Sequence, residues 1–542
     1  MNQRHWLKNY GTIPADIDPK AHRSVLSMMD DAMTQFSDQP AFTFADQTLT
    51  FGEVERLSLI FSAFLQKRLN VKKGDRIAVM LPNLMAFPIV FLGIIRTGAI
   101  QVNVNPLYTA RELEHQLNDA GAEIIVVFSG SLATVVNARS DTVLKHVITV
   151  NINDCIGIDL PGTVIDENLE NSIRLSEIMS SGEDLQFDPV DLHGEDLLLL
   201  QYTGGTTGLS KGAALSHRNL VANVEQFKAF MPDNVRVGKE VVVTALPLYH
   251  IFALMVNFLT YFSVGARNWL VANPRDIDSL IDIMHQSQCT VFMGVNTLYA
   301  GLVASPRLGH EDWSHLRLAG GGGASIIEAV SAKWSAVSGM FIREGYGLSE
   351  TSPVLTFNPG SVEKFNGTTG LPLPSTYIKL LDDDGQEVAI GKSGEVVVNG
   401  PQVMRGYWNK PDIDSTSFTS DGYFKTGDIG IFDQDGFLKI VDRKKDMILV
   451  SGFNVFPNEV ESVATNCAGI MECACIGVPD EKTGEAVRLY VTRLPGTAIA
   501  ADDVINYCRQ ELAAYKIPRQ IVFVSELPKS AVGKILRREL RS

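Results

Sequence analysis

The segment Thr203-Gly204-Gly205-Thr206-Thr207-Gly208-Leu209-Ser210-Lys211 constrains this chain more than any other, because it packs backbone freedom, hydroxyls and one cation into a single turn between two apolar runs. Its glycines let successive backbone N–H groups converge on one anion. Thr203, Thr206, Thr207 and Ser210 add hydroxyl donors and Lys211 a positive charge, so the loop is suited to a polyphosphate leaving the end of a buried strand over 197–201. It differs from the nucleotide-triphosphatase P-loop, which needs Lys followed by Ser or Thr at a helix start, whereas Lys211 precedes Gly212. A solvated Gly/Thr linker would not lie between apolar runs and end on one Lys.

With 542 residues, 45% of them hydrophobic, the chain exceeds one compact unit and can build cores in two or more domains. A net charge of −15 argues against general affinity for nucleic acid and against electrostatic docking on an anionic membrane, so local basic groups must hold any anionic ligand. Cys155, Cys289, Cys467, Cys473, Cys475 and Cys508 form no Cys-x-x-Cys pair. Positions 473 and 475 read as alternate residues of a strand, and a reduced, cytoplasmic setting is expected. Residues 1–10 are polar and lack the apolar segment of a signal peptide, so the chain is expected to stay where it is made. The apolar stretch 251–271 is broken by Asn257, Arg267 and Asn268 and reads as a buried helix followed by a strand, with peripheral membrane contact left open.

Apolar runs at 76–80, 87–95, 124–128 and 146–150 alternate with helical patterns, which suggests parallel strands with crossover helices. Thr109 and Glu112 have capping-box spacing and open a helix with Leu113 and Leu117 inward, closing near Gly121. Short strand-like runs at 241–246, 290–293, 316–319 and 340–342 are each followed by loops rich in Gly, His or acidic residues, and ligands are expected beyond those strand ends. From 382 the turn signals Asp384-Gly385, 395–399, Asp421-Gly422 and Asp435-Gly436 indicate a β-rich segment. After Asp442-Arg443-Lys444-Lys445-Asp446, strands at 447–450, 473–478 and 486–492 with helices near 458–465 and 501–513 read as a separate small α+β domain.

These segments, in order, carry a resemblance. The Thr/Gly loop, Pro247-Leu248-Tyr249-His250, 320–324, Tyr346-Gly347-Leu348-Ser349-Glu350, 423–428, Asp442-Arg443, and 528–530 through Gly533-Lys534 resemble the acyl-CoA synthetase superfamily of adenylate-forming (AMP-binding) enzymes over nearly the whole chain. Within it the chain is most similar to bacterial long-chain fatty-acid–CoA ligases, since 421–445 resembles the fatty-acyl-CoA synthetase signature. The resemblance implies a large α/β N-terminal domain over 1–441, with parallel sheets, crossover helices and a β-rich subdomain. A hinge at 442–446 and a mobile α+β C-terminal domain over 447–542 would follow.

Activating a carboxylate sets one anion against another, the α-phosphate of ATP, so positive charge must be strongest in the transition state. Lys534 and Mg²⁺ would supply it. Glu350 is a natural hard oxygen ligand with the Thr203 hydroxyl opposite, and the resemblance implies the same metal pair. Asp428 can accept both ribose hydroxyls, as its counterpart does in the family, with Arg443 adding a donor. Gly322, Gly323 and Ala324 leave room for a flat adenine, with Tyr346 as a stacking candidate; the nucleotide set extends to Glu344, Gly345, Gly347, Ser349, Lys211 and Lys445. His250 is expected beside the substrate carboxylate or at the gate of the acyl tunnel. The basic run Lys529, Lys534, Arg537, Arg538 and Arg541 reads as a solvated helix face apart from Lys534, which Gly533 leaves free to enter a cleft. Rotation about Lys445 would then withdraw Lys534 and bring the Gly452 loop to the CoA path.

Two departures from the family pattern stand out: Leu449 where some relatives carry a second lysine, and Leu254 where some carry a gating tryptophan, with Phe252 as a substitute gate. The acyl pocket is expected between the helix after His250 and the loops Val295-Asn296-Thr297 and Pro353-Val354-Leu355. The implied function is conversion of a fatty acid, ATP and CoA to acyl-CoA, AMP and pyrophosphate through acyl-AMP. An acyl-AMP ligase serving a carrier protein and a non-catalytic acyl binder are the alternatives; a homodimer and a peripheral place on the inner membrane face are left open.

Overall fold

The computed structural model describes residues 4–155, 172–181, 184–203, 210–451, 453–530 and 533–541. Alternating apolar strands and capped helices build a first sheet in the spatial order Ser172–Arg174, His146–Val150, Ile124–Phe128, Arg76–Met80, Ile100–Asn103, Leu197–Thr203, Lys211–Ser216. All neighbours are parallel except the last pair, which is antiparallel and brackets the Thr/Gly loop. The helix Ala110–Ala120 forms as its sequence requires. The Thr109 N–H donates to the Glu112 carboxylate at 2.9 Å, the Thr109 hydroxyl accepts from the Glu112 N–H, Leu113 and Leu117 are buried, and Gly121 ends the helix at φ 63°.

The second sheet runs Leu371–Pro372, Val354–Phe357, Arg343–Gly347, Leu318–Gly321, Val291–Gly294, Val241–Thr244, Arg267–Leu270, Pro40–Phe44, Gln47–Thr50. The run from Arg343–Gly347 to Val241–Thr244 is parallel, so those strands end on one edge and deliver four loops to it. An antiparallel sheet of Tyr377–Leu381, Ser393–Asn399, Phe424–Phe432 and Leu438–Arg443 follows. The last sheet joins Phe453–Val455, Ile448–Val450, Gly484–Arg493 and Ile470–Asp480, with Gln520–Phe523 parallel to Gly484–Arg493. Its apolar cores contain only residues from 448 onward, separate from the large core shared by the earlier sheets.

Three expectations need correction. The run 87–95 lies in the helix Ala86–Arg96, whose eleven residues are all buried; an element covered on every side loses the periodicity that separates helix from strand. The strand expected at 340–342 is Arg343–Gly347, paired through Gly320↔Arg343, and its polar and glycine residues hid it. Residues 395–399 are the interior of the strand Ser393–Asn399 rather than a turn. The stretch after His250 is a buried π-type helix, Ala253–Thr260, continued by Tyr261–Ser263 and the strand Arg267–Leu270. Among the described residues no helix is long and apolar enough to cross a membrane. Cys473 and Cys475 are buried on the strand Ile470–Asp480, and all six cysteines are free.

Candidate active site

The converging strand ends set the site. Thr203 closes the strand Leu197–Thr203, and Lys211 opens its antiparallel partner. From the second sheet, Val241–Thr244 leads to His250, Val291–Gly294 to Asn296 and Thr297, Leu318–Gly321 to 322–324, and Arg343–Gly347 to a 3-10 turn, Ser349–Thr351, bearing Glu350. Buried Asn83 fastens the His250 segment: its amide donates to the Thr244 and Leu246 carbonyls at 3.0 and 2.9 Å, and its carbonyl accepts the Leu248 N–H at 2.8 Å. Gly323 has φ +75°, a conformation that favours glycine, while a Cβ on Gly322 would lie 3.2 Å from the Gly345 carbonyl.

Asp428 is buried on the strand Phe424–Phe432, opposite Arg443 across the ladder. Arg443 Nε lies 3.2 Å from one carboxylate oxygen, and the Tyr346 hydroxyl donates to the other at 2.6 Å. Burial, then the Asp428 charge, push the Tyr346 phenol well above its ordinary range, which keeps the proton on Tyr346. Tyr346 therefore orients the carboxylate, in addition to any stacking it offers. Glu344, buried on the same strand, is raised to about 8 by burial, so at neutral pH its carboxyl is mostly protonated and can both donate and accept.

Glu350 is also buried, and its carboxyl is raised by burial against the lowering effect of a hydrogen bond from Tyr407, whose hydroxyl lies 2.7 Å from Oε1. The Lys211 ammonium lies 5.3 Å from the centre of the Tyr407 ring. Both strands that bracket the Thr/Gly loop pack against the Glu350 turn. Among the described residues no three His, Cys, Asp or Glu side chains form a metal cage. One buried carboxylate beside a phosphate loop instead suits Mg²⁺ carried by a nucleotide, which binds through one or two carboxylates plus substrate phosphates.

Lys534 comes from the C-terminal region on a short hairpin, where Ser530 N–H donates to the Lys534 carbonyl at 2.8 Å. The hairpin touches the large domain where the Thr297 hydroxyl donates to the Gly533 carbonyl at 3.4 Å. The Lys534 side chain meets solvent, but the protein massed around this cleft, then Arg443, lower its ammonium to about 8, with Asp428 opposing. Burial, then Lys534, hold the half-buried His250 down at about 4, so it is neutral at physiological pH. Lys445, on the connection between the last two sheets, is lowered to about 8 by the surrounding protein and then by Arg443.

Lys534, Arg443, Asp428, Tyr346, Glu350 and His250 thus gather at one cleft. Gly204, Gly205, Thr206, Thr207, Gly208 and Gly452 lie outside the described residues. The basic C-terminal run is not a free helix face: Arg537 Nη1 lies 3.3 Å from Asp442, Nη2 lies 2.7 Å from Glu461, and Arg541 pairs with Asp446 at 2.9 Å, tying Lys534's segment to the hinge. Val354 is bonded through both backbone groups to buried Asn223, at 2.9 and 2.8 Å, which places it in the packed core. Asn83 and Tyr407 were missed, and so was the part played by Arg537; the one signal was the aromatic pair Tyr407-Trp408 directly after Arg405-Gly406.

Residues 29–408 match the AMP-binding enzyme family and residues 459–534 the AMP-binding enzyme C-terminal domain. The chain is 46% identical to the long-chain-fatty-acid–CoA ligase of Salmonella typhimurium, over 99% of this chain and 97% of that protein. It is 35% identical to the Bacillus subtilis long-chain-fatty-acid–CoA ligase, over 100% and 98%. Among solved structures, ATP-bound MatB from Rhodopseudomonas palustris superposes with a TM-score of 0.84 at 29% identity, covering 95% of this chain and 98% of MatB.

Proposed function

This chain belongs to the AMP-binding enzyme family, and from that premise we propose that it is an ATP-dependent long-chain fatty-acid–CoA ligase acting in two half-reactions. The carrying observation is that Glu350, Asp428 and Arg443 from the large domain and Lys534 from the C-terminal segment meet at one cleft. In the first half-reaction a fatty-acid carboxylate oxygen attacks the α-phosphorus of ATP, the bond to the β-phosphate breaks, and pyrophosphate leaves. Asp428 would hold the ribose, Glu344 and 322–324 would border the adenine, and the Lys534 ammonium would offset the charge that builds on the α-phosphate. Bound Mg²⁺, held through Glu350 and Thr203, would neutralise phosphate charge. Neutral His250 has no charge to repel or neutralise the incoming carboxylate, which suits it to orient that group.

In the second half-reaction the CoA sulfur attacks the acyl carbon, the thiol proton is lost, and AMP leaves as the carbon–oxygen bond to phosphate breaks. Only the first half-reaction needs Lys534, so a turn about the 442–446 hinge could replace its hairpin with another C-terminal surface. The reading includes work in the cytoplasm, in peripheral contact with the inner membrane face where long acyl chains partition. The test is fatty-acid-dependent exchange of pyrophosphate into ATP without CoA, followed by CoA addition. Exchange, then acyl-CoA and AMP in equal amounts, is expected. Exchange without any thioester would indicate a ligase serving a carrier protein, and no exchange a non-catalytic binder.

A further inference from the structure

The segment 401–408 is not part of either strand that frames the phosphate loop, yet it is stitched to both sides of the nucleotide cradle. The Trp408 N–H donates to the Gly212 carbonyl at 2.8 Å, and the Ala214 N–H donates to the Gly406 carbonyl at 3.1 Å, which joins the segment to the strand that begins at Lys211. The Met404 N–H donates to the Glu350 carbonyl at 2.8 Å, which joins it to the opposite wall. Asn219 secures its start by donating to the Pro401 and Val403 carbonyls at 2.8 and 2.9 Å.

Tyr407 stands at the centre of this strap. Its N–H donates to Asp414 at 2.8 Å, its hydroxyl donates to Glu350 at 2.7 Å, and its ring receives the Lys211 ammonium at 5.3 Å. One side chain therefore touches the carboxylate on one wall and the cation on the other. Glu350 is buried, and a buried carboxylate without a fixed donor would be free to take a second rotamer or bind a proton. Lys211 left without the ring would extend to solvent, because a flexible ammonium stem is costly to order.

We infer that Tyr407 is a positioning residue that sets the two halves of the ATP cradle relative to each other: its hydroxyl aims the Glu350 carboxylate and its ring seats the Lys211 ammonium. This inference rests on the reading of the cradle as the site of Mg²⁺ and ATP. A tyrosine that only packs would contribute its ring and nothing through its hydroxyl. The two roles separate in Tyr407→Phe, which keeps the ring and removes the donor.

The experiment uses the full-length chain and measures ATP binding by calorimetry, without fatty acid or CoA, as Mg²⁺ is varied, beside pyrophosphate exchange and the thioester half-reaction from synthetic acyl-AMP. Loss of an outer partner that orients a ligating group weakens metal binding or activity about 10–100-fold. Tyr407→Phe should raise the Mg²⁺ concentration for half-maximal ATP binding about tenfold and slow exchange about as much, leaving thioester formation and metal-free ATP binding within about twofold of wild type. Tyr407→Leu should weaken ATP binding a further two- to fivefold, roughly the worth of one cation–π contact. In a Glu350→Gln background the Tyr407→Phe change should add little, since residues acting as a unit are not additive. Wild-type Mg²⁺ dependence in Tyr407→Phe, or full additivity with Glu350→Gln, would overturn the inference. Failure of the cradle reading would look different, because the wild-type chain itself would then bind ATP without regard to Mg²⁺.

Discussion

The nucleotide cradle and the Lys534 hairpin meet at the same cleft but are held in opposite ways. In the cradle the Asp428 and Glu350 carboxylates are buried and fixed by other side chains: Asp428 by Tyr346 and Arg443, Glu350 by Tyr407. The hairpin exposes Lys534 and, among its described residues, meets Thr297 through one hydrogen bond of 3.4 Å, with φ +77° at Gly533. Its stronger ties, Arg537 and Arg541 to Asp442, Asp446 and Glu461, run to the hinge and within the C-terminal region. On the proposed mechanism the fixed half would bind the nucleotide through both half-reactions, and the hairpin that carries exposed Lys534 would serve only the first.

The largest expected effect falls on the hairpin. A unit charge about 4 Å from the reacting phosphate is worth roughly 4 kcal/mol at an effective dielectric of 20, so Lys534→Ala should slow pyrophosphate exchange about a thousandfold. An exchange rate within tenfold of wild type would remove Lys534 from the reacting phosphate. Next comes the fixed half. Asp428→Ala leaves Arg443 without its partner and the ribose without its acceptor, at a cost of about 3 kcal/mol for a partly buried pair, or roughly a hundredfold in kcat/KM for ATP. AMP inhibition should weaken in parallel, and unchanged AMP inhibition would place the ribose elsewhere.

The smallest expected effect tests the seating itself. Gly533→Ala adds a methyl against the Thr297 hydroxyl at a residue with φ +77°, and the left-handed conformation alone costs an L-residue about 1–2 kcal/mol. Adenylation should fall about tenfold while the melting temperature stays within a few degrees, because the strain can be relieved by unseating the hairpin. A large loss of stability with full adenylation per folded molecule would mean that the hairpin seat is structural only.

Much of this was legible in the sequence, and the limits have physical causes. Capping signals and strand-ending loops work locally, so Thr109–Gly121, the phosphate-loop strand and the strand ends carrying His250 and the glycines 322–323 could be read directly. The helix Ala86–Arg96 could not, since complete burial erases its period, and the strand Arg343–Gly347 was hidden by Arg343, Glu344 and two glycines. Within the site, the family motifs around them pointed to Asp428 and Glu350, but the groups that fix them lie 82 and 57 positions away in the chain, at Tyr346 and Tyr407. Arg537 looked like a surface cation because its acidic partners at 442 and 461 lie at the hinge and on a helix far earlier in the chain.

Supplying synthetic acyl-AMP and CoA to Lys534→Ala and Asp428→Ala side by side asks whether the two regions are separable in function. Thioester formation is expected at the wild-type rate in Lys534→Ala, with a clear loss in Asp428→Ala, because Asp428 must still hold the adenylate. Equal loss in both variants would contradict that separation.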